Sequence, residues 1–286
     1  MLDSLEACVA ELEKNGHLIR ITEEVDPYLE MAWLHQKVFA AEGPALFFEK
    51  VKGCSFPAVS NLFGTRERWQ FIFRKNFSLA KEAVKLKANP PEFFKNMAKN
   101  FCRPLAVYGR MPLVGLSSLP KKISPGKAPV LTNKTTLSQL PQIVSWPMDG
   151  GAFITLPQVM SYSPGQKHPM KTNLGMYRVQ LSGNSYLKDK EVGLHYQIHR
   201  GLGIHHNEAL QRGEDLPVSV FVGGHPAHSV AAVMPMPEGL SELIFAGILS
   251  GKRFRYSYLG NHVVSADADF CLLGWIRGKK TKPEGP

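Results

Sequence analysis

Residues 177–181 (YRVQL) and 192–199 (VGLHYQIH) alternate apolar and polar side chains with a period of two. Tyr177, Val179 and Leu181 share one face, as do Val192, Leu194, Tyr196 and Ile198, so each stretch reads as a strand with one buried side. The two are close enough to pair as a hairpin over the polar loop 184–190. Their other faces then carry Arg178, Gln180, His195, Gln197 and His199. A face washed by solvent usually holds Lys, Glu and Thr; glutamines, histidines and a single arginine suit a ligand pocket better. Val218, Val220 and Val222 form a third strand of the same kind. From about residue 151 the chain therefore reads as an antiparallel sheet or barrel.

On the N-terminal side the pattern is mixed. Leu2, Leu5, Val9 and Leu12 recur at helical spacing, and Asn15-Gly16 supplies the stop. A strand follows over 17–21 (HLIRI), a helix from Pro27 to about Ala41, and an apolar strand over 45–48 (ALFF) after Gly43-Pro44. Residues 56–62 read as another strand and a helix starts near Thr65. This small α/β region ends near residue 115, and a Ser-, Pro-, Lys- and Thr-rich connection runs from about 117 to 147.

The chain has 286 residues, 44% of them hydrophobic and 20% charged, the balance of a globular protein. The start, MLDSLEACVA, lacks the basic and apolar regions of a signal peptide, and no apolar run approaches the roughly 18 residues that span a bilayer. The expected location is the cytoplasm. Four cysteines, Cys8, Cys54, Cys102 and Cys271, form no CxxC pair and no disulfide framework. The net charge of +10 raises nucleic-acid binding. Much of it, however, lies on the 74–99 stretch, which reads as the solvated face of helices, and in a tail with Arg277, Lys279, Lys280 and Lys282. No zinc-finger, RNP or KH signature accompanies it, so no nucleic-acid partner is expected.

One acid stands in an apolar setting. The helix expected from Pro237 to about Leu249, with Gly251 as its stop, carries Leu240, Leu243, Ile244, Gly247 and Ile248 on one side. Phe245, Ala246 and Leu249 lie on the other, around Glu242. A helix apolar all round is buried, and a buried carboxylate is costly unless a cation or donors meet it. Either a salt bridge to an arginine or a role as metal or cofactor ligand would answer. The stretch 195–208 (HYQIHRGLGIHHNE) has the spaced histidines of a zincin without its glutamate, and its alternation favours strand over helix. His205 and His206 are expected at the surface or as caps before a helix over 207–211. Neither GxxxxGK[ST] nor GxGxxG is present.

At these residues the sequence resembles the UbiD family of decarboxylases. The resemblance rests on GPALFFEKVKG (43–53), SNLFGTRER (60–68), TNLGMYRVQL (172–181), HRG (199–201), LPVSVFVGGHP (216–226), LSELIFAGILSG (240–251) and the terminal PEGP. It covers essentially the whole chain. It implies an α+β protein in which the α/β region 1–115 precedes a flavin-binding split β-barrel over 116–286. The implied activity is decarboxylation of an aromatic or α,β-unsaturated carboxylic acid, a polyprenyl hydroxybenzoate of quinone biosynthesis being the family default. The implied cofactor is prenylated FMN, made by a flavin prenyltransferase and bridged to the protein by Mn²⁺ or Mg²⁺.

Asn173 and Glu242 match the family's metal ligands, and His199 matches a histidine that ligates in some members. Met176, Tyr177, Arg178, His195, Tyr196, Gln197, Arg200 and Gly201 occupy cofactor-contacting positions, with only Tyr177, Arg178, Arg200 and Gly201 matching in type. Arg178 matches the arginine that holds the substrate carboxylate, and Glu284 the first acid of the family's EGPFG segment. A second acid, the usual proton donor, and a C-terminal domain would lie beyond Pro286. Leu273 stands where the family commonly has Glu. The expectation is a truncated or split polypeptide working as a homo-oligomer or with a complementary subunit. The second reading is a catalytically silent flavin- or metal-binding subunit.

Overall fold

The computed structural model describes residues 4–92, 95, 116, 118–236 and 241–284. Helix α1 (Leu5–Lys14) starts at Ser4, whose side chain accepts the Ala7 N–H, and buries Cys8, Val9 and Leu12. Leu2 lies outside the described residues. Strand β1 (Leu18–Val25) is longer than expected, and helix α2 (Glu30–Ala40) leads to β2 (Ala45–Val51) and the short β3 (Ala58–Ser60). β1 and β2 are parallel and β3 adds antiparallel to β2. Helix α3 (Arg66–Phe73) is capped by Thr65, as the sequence indicates, and α4 (Phe77–Ala88) follows. The lysines of α4 at 81, 85 and 87 are exposed while Ala80 is buried, the solvated helix face expected of this basic stretch.

Arg68 is 2% exposed and has no acid partner among the described residues. Its guanidinium donates instead to three backbone carbonyls, Leu62 at 3.1 Å, Gly43 at 2.9 Å and Asn61 at 2.6 Å. The planar fork thus ties the turn before β2 to the turn before α3, and these bonds offset part of the cost of burying it.

The second part opens with β4 (Lys121–Lys122) and three single 3₁₀ turns between 125 and 139. Then come β5 (Phe153–Ile154), β6 (Gln158–Tyr162), β7 (Thr172–Gly175), β8 (Arg178–Gln180) and β9 (Gly193–His195). Helix α5 (Gly201–Arg212), β10 (Leu216–Val222), α6 (Pro226–Val233) and α7 (Glu242–Ser250) follow, and β11 (Arg255–Leu259), β12 (His262–Ser265) and β13 (Phe270–Ile276) complete the order. Three sheets result, in the orders β13-β10-β6-β7, β5-β8-β9 and β12-β11-β4. The expected mixed α/β architecture is present, and no sheet closes on itself among the described residues. No helix among them is long and apolar enough to cross a membrane.

The β8–β9 hairpin has the expected antiparallel pairing, with Arg178 opposite His195. Its polar face is shorter than expected. β9 ends at His195, and Gln197 to Arg200 form a turn closed by the Arg200 N–H on the Gln197 carbonyl. Gly203 sets that end: a Cβ there would meet the Gln197 oxygen at 2.5 Å, so only glycine lets the helix lie against its own entry turn. Gln197 and His199 therefore leave the sheet, and Ile198 is 70% exposed rather than buried. Gln180 departs the other way and is fully buried. Helix α5 also starts earlier than the 207–211 expected, which places His205 and His206 inside it.

Helix α7 is apolar on every side, as expected, because two cores meet on it. Phe245, Ala246, Ile248 and Leu249 pack with Cys8, Leu12, Phe73 and Ala80 of the N-terminal part and with Ala231 of α6. Leu243 packs instead with Met160, Leu174 and Phe254. The boundary placed near residue 115 falls outside the described residues.

Replacing Arg68 by Met leaves the Leu62 carbonyl without its donor and removes one of two donors from each of the Gly43 and Asn61 carbonyls, and is expected to lower stability by about 3 kcal/mol, read as a reduced urea midpoint with unchanged m. Arg68→Lys cannot span all three acceptors and should recover only part of the loss. A midpoint equal to wild type would refute this role for Arg68.

Candidate functional site

Two polar clusters form around the segment 172–180. The first sits on the β8–β9 hairpin. Arg178 and His195, cross-strand partners, both reach Glu284: Arg178 Nε is 3.2 Å from Oε1 and His195 Nδ1 is 2.8 Å from Oε2. Asp149 stands 3.9 Å from the other side of the guanidinium, which also stacks on Phe153 at 4.4 Å from the ring centroid. Glu284 Oε1 is shielded from solvent and receives no hydrogen bond, since the arginine meets it as an ion pair out of line.

Glu284 reaches this place because the tail is stapled to the hairpin loop. Asn184 Nδ2 donates to the Pro283 carbonyl at 3.0 Å and Tyr186 Oη to the same oxygen at 3.3 Å. Lys282 Nζ donates to the Ser185 carbonyl at 2.9 Å and pairs with Glu191. The loop 184–190 is thus the tail's anchor, a role no local pattern in the sequence displays.

The second cluster joins β7, α5 and α7. Asn173 Nδ2 donates to Tyr177 Oη at 3.1 Å, and the same hydroxyl accepts the Leu202 N–H at 3.4 Å. Asn173 Oδ1 rests on Gly201, where an added Cβ would lie 2.0 Å from it. Glu242 is the first residue of α7, half-buried rather than enclosed, with Ser241 as N-cap. Burial pushes its carboxyl up from the ordinary value, while its own N–H and that of Leu174, next to Asn173, pull the other way. No cation among the described residues lies within ion-pair distance of it. Residues 237–240, expected to begin its helix, lie outside the described set.

The remaining candidates spread outward. His199 is exposed in the turn two residues before Gly201, and no contact ties its ring to Asn173 or Glu242 among the described residues. Arg200 is the N-cap of α5 and donates to Gln197 Oε1 at 3.3 Å. Tyr196 Oη bonds His206 Nδ1 at 2.6 Å, and burial raises the phenol's pKa. Met176 donates its N–H to the Ala232 carbonyl at 2.8 Å and is half-buried against the core that holds Leu243. Among the described residues no group of three or more His, Cys, Asp or Glu surrounds a point that could hold a metal. A cation at Glu242 would therefore need amide or ligand oxygens beside the carboxylate.

A cleft of about 2540 Å³ opens beside the hairpin, walled by Leu194, His195, Val220, Leu272, Leu273 and Glu284. Asn173, Arg178 and Glu242 are not in its wall. The sequence reading missed two residues. His205 bonds Ser161 Oγ at 2.9 Å, and Glu208 accepts from Ser163. Burial lowers the His205 pKa, with Glu208 opposing. Their spacing of three on a helix would have exposed the pattern had α5 been recognised.

The comparisons with known proteins point to a family of carboxy-lyases. Residues 9–104 match the 3-octaprenyl-4-hydroxybenzoate carboxy-lyase N-terminal domain, and 121–286 match the Rift-related domain of the same enzyme family. The chain belongs to the UbiD family. It is 39% identical over 289 residues to an uncharacterized protein of Chlamydia caviae, covering 100% of this chain and 47% of that one. It is 37% identical over 280 residues to a 4-hydroxybenzoate decarboxylase subunit from Chlamydia pneumoniae, covering 94% of this chain and 44% of that protein. The chain thus spans about half the length of the curated relatives it matches.

Among solved structures, the evolved dimeric UbiD-class enzyme HmfF from Pelotomaculum thermopropionicum, in complex with prFMN, superposes with a TM-score of 0.76 at 25% identity, over 99% of this chain and 59% of that one. The vanillic acid decarboxylase of Sedimentibacter hydroxybenzoicus in closed form gives 0.79 at 22% identity, over 99% and 57%.

The raised pKa of Glu242 makes a signed prediction. A carboxyl whose folded pKa exceeds its unfolded value costs stability as pH rises above the unfolded value. In metal-free protein Glu242→Gln is expected to raise Tm at pH 7 by about 2–4 °C, the shift that roughly 1 kcal/mol gives a domain of this size. The gain should vanish below the ordinary carboxyl pKa of about 4.3. A variant less stable than wild type at pH 7 would contradict the burial penalty.

Proposed function

We propose that this protein takes part in decarboxylating an aromatic or α,β-unsaturated carboxylic acid with prenylated FMN and a divalent metal, Mn²⁺ or Mg²⁺. The observation that carries the reading is Glu242: a desolvated carboxylate without a cation among the described residues, seated on the Leu174 N–H beside Asn173. A hard divalent ion with oxygen donors answers that deficit. Gly201 fits the same reading, because the space a Cβ would fill is taken by the Asn173 amide oxygen. Asn173 and Glu242, joined by His199, would hold the ion. Met176, Tyr177, Arg178, His195, Tyr196, Gln197, Arg200 and Gly201 would line the flavin.

Bound prenylated flavin supplies the sink for the electron pair left when CO₂ departs. The chain's own residues would do the rest. Arg178 offers a planar, permanently charged fork suited to a carboxylate, and its stacking on Phe153 holds the fork's plane. Glu284 balances that charge and holds His195 at 2.8 Å beside it. A hydroxybenzoate fits the activity for which the Chlamydia pneumoniae relative is named, and a polyprenyl hydroxybenzoate of quinone biosynthesis is the larger version. The reading brings with it a cytoplasmic location, a flavin prenyltransferase as cofactor source, a homo-oligomer or complementary subunit, and division into 1–115 and 116–286.

Co-expression with a flavin prenyltransferase is expected to yield flavin-coloured protein, and both Asn173→Ala and Glu242→Ala should lose that absorbance. Retention of flavin by both variants would sink the site. CO₂ release from a hydroxybenzoate panel tests the reaction, and Arg178→Lys should lower kcat/KM by about 10²-fold through lost bidentate alignment. Flavin bound without turnover, even with a complementary subunit added, would replace the enzyme reading with that of a silent binding subunit, which Leu273 in the cleft wall favours.

A further inference from the structure

Helix α5 crosses β6 and β7. In the antiparallel register Ser161 of β6 stands opposite Asn173 of β7, and residues directly opposite on such a pair present their side chains to the same side. Both meet α5: Asn173 Oδ1 touches Gly201, and Ser161 Oγ bonds His205 Nδ1 at 2.9 Å. Gly201 and His205 are four apart and so share one helical face. Glu208, three further on, continues the seam by accepting from Ser163 Oγ. Ser161 is 1% exposed, so its hydroxyl has no solvent alternative to this bond.

The seam has a consequence for Asn173. Its Nδ2 is held by Tyr177 Oη, which also takes the Leu202 N–H. Its Oδ1 is bounded by Gly201 at a distance that leaves no room for a methyl group. The amide is thus held at one end by Tyr177, itself bonded to the first turn of α5, and at the other by Gly201 of that turn, which has no side-chain cap of its own. Besides the Leu202 N–H on Tyr177 and the buried Leu202 side chain, the turn is tied to the sheet by the His205–Ser161 bond one turn further along.

We infer that His205 and Ser161 are a positioning pair, locking the first turn of α5 onto β6 and β7 so that Asn173 presents its amide oxygen in one orientation. The inference rests on the reading of Asn173 as a metal ligand. Partners behind a ligand that orient it commonly change metal affinity by 10–100-fold when removed. Neither residue touches the metal, flavin or substrate in this scheme.

The test uses the chain with FMN and MnCl₂ as probes, following quenching of FMN fluorescence, with Tm measured for every variant. Wild type is expected to bind FMN in a Mn²⁺-dependent way. Ser161→Ala and His205→Leu should each weaken Mn²⁺-dependent binding about 10-fold, and the double variant should be no weaker than either single, because one interaction is lost once. His205→Asn, whose amide reaches from Cγ as Nδ1 does, should restore most of the affinity, whereas His205→Gln, which reaches to the Nε2 position, should not. Gly201→Ala should reproduce the loss by displacing the Asn173 oxygen.

A purely structural bond would lower Tm without separating Asn from Gln. Wild-type affinity in the single variants, additive losses in the double, or equal behaviour of the Asn and Gln variants would each overturn the inference while leaving the cofactor reading intact. Wild type that shows no Mn²⁺-dependent quenching would overturn the cofactor reading and this inference with it.

Discussion

Helix α7 cannot shift without disturbing two hydrophobic cores, and the rest of the molecule is arranged around that constraint. Phe245, Ile248 and Leu249 belong to the core shared with α1, α3 and α4, while Leu243 belongs to the core under β6 and β7. Close-packed interiors transmit small displacements rather than absorbing them, so the N-terminus of α7 is held from both sides. Glu242 is the residue at that N-terminus. Its carboxylate lies where the helix dipole favours negative charge and where the Leu174 N–H is available. The N-terminal part, which places none of the candidate residues, therefore contributes to the site by fixing the helix that carries one of them.

Much of this was legible because it depends on local pattern. The alternation over 177–181 and 192–199 points to a hairpin, and the structure pairs the two stretches antiparallel over 178–180 and 193–195. The apolar residues on both sides of Glu242 marked α7 as a buried helix, although the acid proves to be the helix's first residue rather than one enclosed in it. Where the reading failed, tertiary contacts outweighed pattern. Tyr196 and Ile198 continue the alternation of β9, yet Gly203 lets α5 fold back over 197–198 and ends the strand. Two glycines in the first turn of α5 resemble a loop, since glycine disfavours a helix interior; buried Leu202 and Ala209, both at 0% exposure, override that preference.

Glu284 illustrates a different limit. Its sequence neighbours say nothing about where it goes, and family resemblance alone singled it out. The structure brings it to Arg178 and His195 through four contacts of 282–283 with the 184–191 loop. Each of these is a surface hydrogen bond or ion pair worth little alone. Together they act across about a hundred residues of sequence, a separation at which local periodicity carries no signal.

The two clusters are also mechanically linked. Asn173 and Arg178 are carried by one short segment, so their separation depends on the bend at Met176 and Tyr177 between β7 and β8. That bend is held from two directions: the Met176 N–H on the Ala232 carbonyl of α6, and the Tyr177 hydroxyl between Asn173 and Leu202 of α5. A side chain that merely filled space at 177 would leave both the Asn173 amide and the Leu202 N–H without this acceptor, and an unmet donor is costlier than a missing contact. The phenol's position therefore bears on both ends of the segment at once. A residue that orients an amide at one end and fixes the strand bearing a guanidinium at the other ties the geometry of the Asn173 cluster to that of the Arg178 cluster.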